Sequence, residues 1–403
     1  MAFIVKKFGG SSVSDAQRIQ RVAGIIAEDY RAGHKIIAVL SAQGDTTDDL
    51  IEKAAELSAT PPKREMDVLL SSGERISVAL MAIALEKMGL PAISLTGRQA
   101  GILTSADYSA AKIEKIEGSR ILRELDNGRI VIVAGFQGMD KYDDVTTLGR
   151  GGSDTTAVAI AAALHADRCQ IYTDVDGVYT ADPRKVPDAR KLEEITYDEM
   201  LELASLGAQV LHNRSVQMGK RYGVEIEVLS SFTPGVPGTI VKGAAKMEKT
   251  KISGVAKDTD TARIAVMGLA DAPGIAFRVF NEIARAGINV DIILQSIGRD
   301  GTKDISFTVP RESLQAAVSA LEKKKSELNF SGIDTNDEVA KVSIVGAGMM
   351  SASGIAAMMF EALYDAKVNI NMIATSEIKI SVLVKEADAD RAVSAIHRKF
   401  FDE

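Results

Sequence analysis

Phe3-Ile4-Val5-Lys6-Lys7-Phe8-Gly9-Gly10-Ser11-Ser12 decides how the first half of the chain is read. The apolar run Phe3-Ile4-Val5 reads as a first strand, and two glycines and two hydroxyls follow. Ser14-Asp15-Ala16-Gln17 then reads as a capping box opening a helix that runs to about Arg31. A strand ending in glycines ahead of a helix N-terminus can cradle an anion. Backbone N–H groups and the helix dipole favour negative charge there, and glycine lets a phosphate approach the main chain. Lys7 adds a mobile full charge at the strand end. The same residues also suit an ordinary tight turn, so the rest of the chain must decide.

Outward from that stretch, strand and helix patterns alternate. Ile36-Ile37-Ala38-Val39-Leu40, Ala92-Ile93-Ser94-Leu95, Ile130-Val131-Ile132-Val133-Ala134 and residues 168–172 read as strands, mostly of the doubly buried kind. A long helical period covers 67–88, with an interruption expected at Ser71-Ser72-Gly73-Glu74-Arg75. This alternation predicts an α/β sandwich with a mostly parallel sheet, whose ligand lies beyond the strand carboxyl ends. The polar loops at 41–48, 135–138 and 146–156 stand at such ends and are expected to converge. In the last of these, Gly149, Gly151 and Gly152 beside Arg150 and Asp154 suit close contact with a charged group. A further acidic loop, 173–184, lacks the glutamate of a calcium-binding EF-hand and reads better as a shelf for adenine and ribose. The P-loop and dinucleotide fingerprints are both absent.

At 403 residues, two or three domains are expected. A net charge of −7 argues against a nucleic-acid binder. Cys169 lies in an apolar run and reads as a buried core thiol, and four scattered histidines form no ligand pattern, so no protein metal site is expected. No leader and no stretch approaching a membrane span are read, which makes the cytoplasm the expected location.

Six segments in one order resemble the aspartate kinases: Lys7-Phe8-Gly9-Gly10-Ser11-Ser12-Val13, Ser41-Ala42, Ser72-Gly73-Glu74-Arg75, 134–138, Gly149-Arg150-Gly151-Gly152-Ser153-Asp154 and 172–184. The resemblance covers essentially the whole chain. It implies the amino-acid kinase fold, a three-layer α/β sandwich with a mostly parallel central sheet over residues 1–245. It implies transfer of the γ-phosphoryl group of ATP to the side-chain carboxylate of L-aspartate. By the same resemblance Lys7, with Gly9 and Gly10, stabilises the transferring group and Asp154 orients Lys7; Ser41, Glu74, Arg150 and Ser153 hold the substrate. Lys7, Phe8, Gly9, Gly10, Thr173, Asp174, Tyr179, Asp182 and Arg184 surround the nucleotide, and Mg2+ is held mainly by the nucleotide. The acceptor carboxylate is already ionised at neutral pH, so no general base is required. Gln209 stands where several relatives place a lysine, and its role is open. A glutamate or acetylglutamate kinase, or a catalytically silent amino-acid sensor, are the competing readings.

The second half is an internal duplication. Gly274-Ile275-Ala276-Phe277 and Asn289 recur as Gly354-Ile355-Ala356-Ala357 and Asn369, at an offset of 80 throughout. Each copy reads strand, helix, strand, strand, helix and resembles an ACT module, a small ferredoxin-like α+β amino-acid sensor. The spare strand Ile252-Ser253-Gly254-Val255-Ala256 is expected to complete the second copy. The first module then spans 262–335, and the second joins 252–258 to 336–403. The resemblance implies effector contacts at Asp271, Gly274, Ile275, Ala276, Asn289, Gln295, Asn369 and Asn371, with lysine, threonine or both together as effectors. It also implies a homo-oligomer formed through the ACT modules. Met247 could start a separately translated regulatory fragment.

Overall fold

The computed structural model describes residues 1–206, 210–244, 252–296 and 301–402. Gln209 and Met247 fall outside the described residues. Contacts divide the chain into two units, Met1–Val178 with Lys191–Met247 and Tyr179–Arg190 with Glu248–Glu403.

An eight-stranded sheet forms the first unit. Phe3–Phe8 lies at its centre, paired in parallel with Lys35–Leu40 on one side and Arg168–Thr173 on the other. Ile130–Ala134 and Ala92–Leu95 extend the first side in parallel, and Ile226–Ser230 extends the second. One pairing, Ile226–Ser230 with Thr239–Lys242, is antiparallel. Side-chain alternation divides the central strand between two helical layers. Ile4 and Phe8 pack with helices Ala16–Arg31 and Lys63–Lys87, and Lys6, on that same face, ion-pairs with Asp29 of the first helix. Lys7 therefore points to the other face, where helix Gly152–Leu164 lies. A small sheet of Ile102–Thr104, Ile113–Ile116, Gln137–Met139 and Val145–Thr147 is attached to this unit.

Two helices differ from expectation. Asp15, not Ser14, caps Ala16–Arg31 by accepting from the Arg18 N–H, and position 18 holds no glutamate or glutamine to close a box. Lys63–Lys87 runs without interruption through 71–75. The Ser71 and Ser72 hydroxyls donate back to the Val68 and Leu69 carbonyls within the same helix. Gly73 is there because a Cβ would lie 2.8 Å from Ala42 Cβ. This helix is long and apolar enough to cross a membrane, which corrects the expectation that no stretch approaches that length. Its buried face nevertheless carries Asp67 and Glu74, as suits a core helix beside a polar site.

The second unit contains two antiparallel four-stranded sheets. The first joins Ala262–Ala270, Ile293–Gln295, Thr302–Val309 and Gly332–Asn336 and carries helices Ile275–Arg285 and Leu314–Glu322. The second joins Val339–Val345, Met372–Thr375 and Lys379–Lys385, with helices Ile355–Asp365 and Ala389–Phe401. Gly254–Asp258, which precedes the first module in the chain, pairs with Val339–Val345 of the second. Ile292 packs with Val339, Met372 and Leu383 across the two modules.

Tyr179–Arg190, inside the stretch 1–245 expected to form the first domain, groups by its contacts with the second unit. Ala181 and Val186 join the apolar core of the second module. Thr180 hydrogen-bonds the buried His397 at 2.8 Å, and its carbonyl accepts from Val255 N–H at 2.7 Å.

Candidate active site

Parallel strands release their loops at one edge, and four of those loops meet there. The Gly9-Gly10 turn after Phe3–Phe8 lies against the 41–44 loop. Gly44 N–H donates to the Gly10 carbonyl at 3.1 Å, and a Cβ on Gly10 would lie 2.8 Å from the Ala42 carbonyl oxygen. Ser41 N–H donates to the Phe8 carbonyl at 3.1 Å. The Gly9 N–H donates to the Tyr172 carbonyl at 3.3 Å, tying the turn to the end of Arg168–Thr173. Gly135, after Ile130–Ala134, lies so close to Ser153 that a Cβ would be 2.7 Å from its hydroxyl.

The charged groups are held from opposite sides. Lys7 Nζ lies 2.6 Å from Asp154 Oδ1, and both side chains are nearly buried. Asp154 occupies the first turn of Gly152–Leu164, where the helix dipole also favours a carboxylate. Gly151 precedes that helix at φ 68°, and the His212 ring fills the space beneath it, since a Cβ there would lie 2.1 Å from the ring. Burial pulls the His212 imidazole below its ordinary value, partly offset by nearby Asp154. Arg150 is exposed, one residue before Gly151.

Glu74 projects from Lys63–Lys87 and is 3% exposed. Its Oε1 accepts from Ala42 N–H at 3.1 Å, while its buried Oε2 has no hydrogen-bond partner among the described residues. Burial pushes this carboxyl up to about 7, against the lowering effect of the backbone hydrogen bonds it accepts. A buried carboxylate with one oxygen unmatched is suited to receiving a cation.

Lys7, Gly9, Gly10, Ser41, Glu74, Ser153 and Asp154 therefore gather where these loops meet, with Arg150 on the turn leading to Ser153. Phe8 differs: its ring is fully buried and stacked on Tyr172, so it offers a nucleotide no side chain. Thr173 ends the Gly9-tethered strand, and its hydroxyl donates to the carboxylate of Asp174, the next residue, at 2.9 Å. Tyr179, Asp182 and Arg184 lie in the second unit, where Asp182 and Arg184 form a local 2.9 Å ion pair. Among the described residues no group of three or more His, Cys, Asp or Glu is arranged to hold a metal. Burial pushes the Cys169 thiol up to about 12, leaving it unreactive.

In the first small module, Asp271, Gly274, Ile275 and Ala276 line a cavity of about 330 Å³ at the start of Ile275–Arg285. Lys303, which sequence reading missed, also lines it and pairs with Asp271 at 2.9 Å. Only strand register could have placed it there, two strands away in the chain. Asn289, Gln295, Asn369 and Asn371 are exposed and lie outside that lining. In the first unit, sequence reading also passed over Asp67, which accepts from Thr147, and Arg214, which donates to the Leu148 carbonyl.

Residues 2–230 match the amino acid kinase family, and residues 264–324 and 342–400 match an ACT domain family. The aspartokinase of Mycolicibacterium smegmatis is 52% identical over 406 residues, spanning 99% of this chain and 96% of its own. E. coli aspartokinase III solved with aspartate and ADP is 27% identical, with a TM-score of 0.82 over 99% of this chain and 100% of its own. The same E. coli protein solved with lysine and aspartate is also 27% identical, with a TM-score of 0.77 over 99% of each chain.

Proposed function

The chain belongs to the aspartokinases of the amino acid kinase family, and from that premise we propose that it phosphorylates the side-chain carboxylate of L-aspartate with ATP. A carboxylate oxygen of aspartate bonds to the γ-phosphorus as the bond to the β–γ bridging oxygen breaks, giving 4-phospho-L-aspartate and ADP. The observation that carries this reading is Glu74, a buried carboxylate whose free oxygen suits the substrate ammonium. Arg150 supplies a fork for the α-carboxylate, and Ser41 and Ser153 line the space between. Lys7, aimed by Asp154, meets the charge that spreads over the transferring oxygens, with the Gly9-Gly10 turn bringing backbone close. Thr173 and Asp174 are assigned to the nucleotide. Magnesium, when bound with ATP, neutralises phosphate oxygens; with Asp154 already engaged by Lys7, the donor set fits an ion carried by the nucleotide.

We assign the enzyme to the first step leading to lysine, threonine and methionine, working in the cytoplasm as a homo-oligomer joined through its ACT modules. Lysine or threonine, bound at the Asp271–Lys303 cavity, is the proposed feedback signal, supported by the relative solved with lysine. ADP release with L-aspartate, L-glutamate or no acceptor, repeated with lysine and threonine added, tests the whole reading. Aspartate-dependent release suppressed by either effector is expected; turnover of glutamate but not aspartate would overturn it.

A further inference from the structure

Glu74 and Arg150 grip opposite ends of the substrate backbone in the reading above, on which this inference rests, so their separation must be set by something rigid. Glu74 is on a long helix, and Arg150 is on an exposed turn flanked by two glycines at positive φ, Gly149 and Gly151. Left to itself such a turn would be poorly placed.

Asp67 is the part of the structure that joins them. It lies on the same helix as Glu74, seven residues earlier, so two turns and about 10 Å of axis separate them on one face. It is fully buried and accepts four donors, two from Ser109 and two from Thr147 at the end of strand Val145–Thr147. Thr147 N–H and hydroxyl both donate to it at 2.8 Å, and Ser109 donates its N–H at 3.0 Å and its hydroxyl at 3.3 Å. Thr147 is three residues before Arg150. Its carbonyl accepts from Ala111 N–H at 3.0 Å, so both its backbone groups are held. The next residue, Leu148, donates its N–H to the Phe136 carbonyl at 2.8 Å, and its own carbonyl accepts from Arg214. The chain is thus fixed up to Leu148, and Gly152 N–H closes the turn that carries Arg150 by donating to the Gly149 carbonyl at 3.0 Å.

We propose that Asp67 is a positioning residue that fixes the Arg150 turn against the helix carrying Glu74, and so sets selectivity for a free α-amino acid acceptor. Four donors converge on two carboxylate oxygens. An asparagine in their place offers one oxygen and turns an NH2 group toward donors, so the turn must shift. A shift near 1 Å at such a contact costs up to about 100-fold.

The test is steady-state kinetics on the full chain carrying Asp67→Asn, Arg150→Ala or both. For Asp67→Asn we expect KM for aspartate to rise about 10–100-fold while KM for ATP stays within about twofold. Preference for aspartate over its α-amide, which lacks the anionic carboxylate, should fall in parallel. In the Arg150→Ala background the same change should add less than about threefold, because its effect acts through Arg150. Should Asp67→Asn fail to fold, Thr147→Val removes one donor only and is expected to show a smaller rise with the same non-additivity. Multiplicative effects in the double variant, or an unchanged KM for aspartate in Asp67→Asn, would overturn the proposal. An unchanged KM in Arg150→Ala alone would instead overturn the site reading beneath it.

Discussion

The proposed hold of Glu74 on the substrate ammonium predicts that aspartate binding is proton-linked. The ligand-free carboxyl, buried with one oxygen unmatched, is moved from the ordinary 4.5 up to about 7. An ammonium arriving at that oxygen favours the ionised form and draws the carboxyl back down. Only the ionised form grips the substrate, and its share rises from about one in ten at pH 6 to about nine in ten at pH 8. Apparent affinity for aspartate should therefore strengthen about tenfold over that interval, with most of a proton released per aspartate bound at pH 6. Titration calorimetry in two buffers of different ionisation enthalpy reads both quantities at once. Glu74→Gln should bind about 10–100-fold more weakly, the loss of a charge-assisted hydrogen bond, and its affinity should be flat with pH. The stability of the empty protein should run the other way. Native Glu74 holds its proton more tightly than the unfolded chain, so stability falls as pH rises from 4.5 to about 7, by about 3 kcal/mol in the limit. Wild-type affinity unchanged between pH 6 and 8, or an equal slope in Glu74→Gln, would refute the reasoning.

Lys7→Ala should lower kcat by about 10²–10³-fold while calorimetry still detects aspartate, as follows from the proposed role of Lys7 on the transferring group and not the acceptor. Gly10→Ala drives a Cβ to 2.8 Å from the Ala42 carbonyl and 3.1 Å from that of Gly44, both backbone atoms. It should cost about 1–3 kcal/mol in denaturant melts and raise KM for both substrates, whereas Gly24→Ala, with open space inside a helix, should gain up to about 1 kcal/mol. His397, buried against Thr180, has its imidazole held below the ordinary value by desolvation. The unfolded chain takes the proton more readily, so His397 should withdraw stability as pH falls below about 6.5, and His397→Gln should lose less stability than wild type between melts at pH 7.5 and 5.5.

Much of the fold was legible because burial on both faces leaves a plain mark. Ile130-Val131-Ile132-Val133-Ala134 has no polar face to hide, and such a run fits only the middle of a covered sheet. The small modules were legible through repetition, and the pairing of Gly254–Asp258 with Val339–Val345 accounts for a strand that the repeat alone left spare. Tyr179–Arg190 was not legible in this way. Its attachment depends on two small apolar residues, Ala181 and Val186, meeting a core built from Ile252, Val255 and residues between Ala340 and Phe401, and no local period reports such a contact.

The site shows the same division more sharply. Lys7 and Asp154 stood out because charges beside glycines need a reason, whereas Glu74, in a helical pattern where a charge normally faces water, stood out only through the motif it shares with the aspartate kinases. Asp67 gave no such sign: it sits near the start of a helical period, where an acidic residue normally faces water. Its role becomes visible only once Thr147 and Ser109, 80 and 42 residues away, are seen to donate to it. Residues that touch substrate must be chemically distinctive, but residues that place them need only be complementary to their neighbours. Complementarity is a property of pairs, so a single sequence shows each member as ordinary until the fold brings the other into reach.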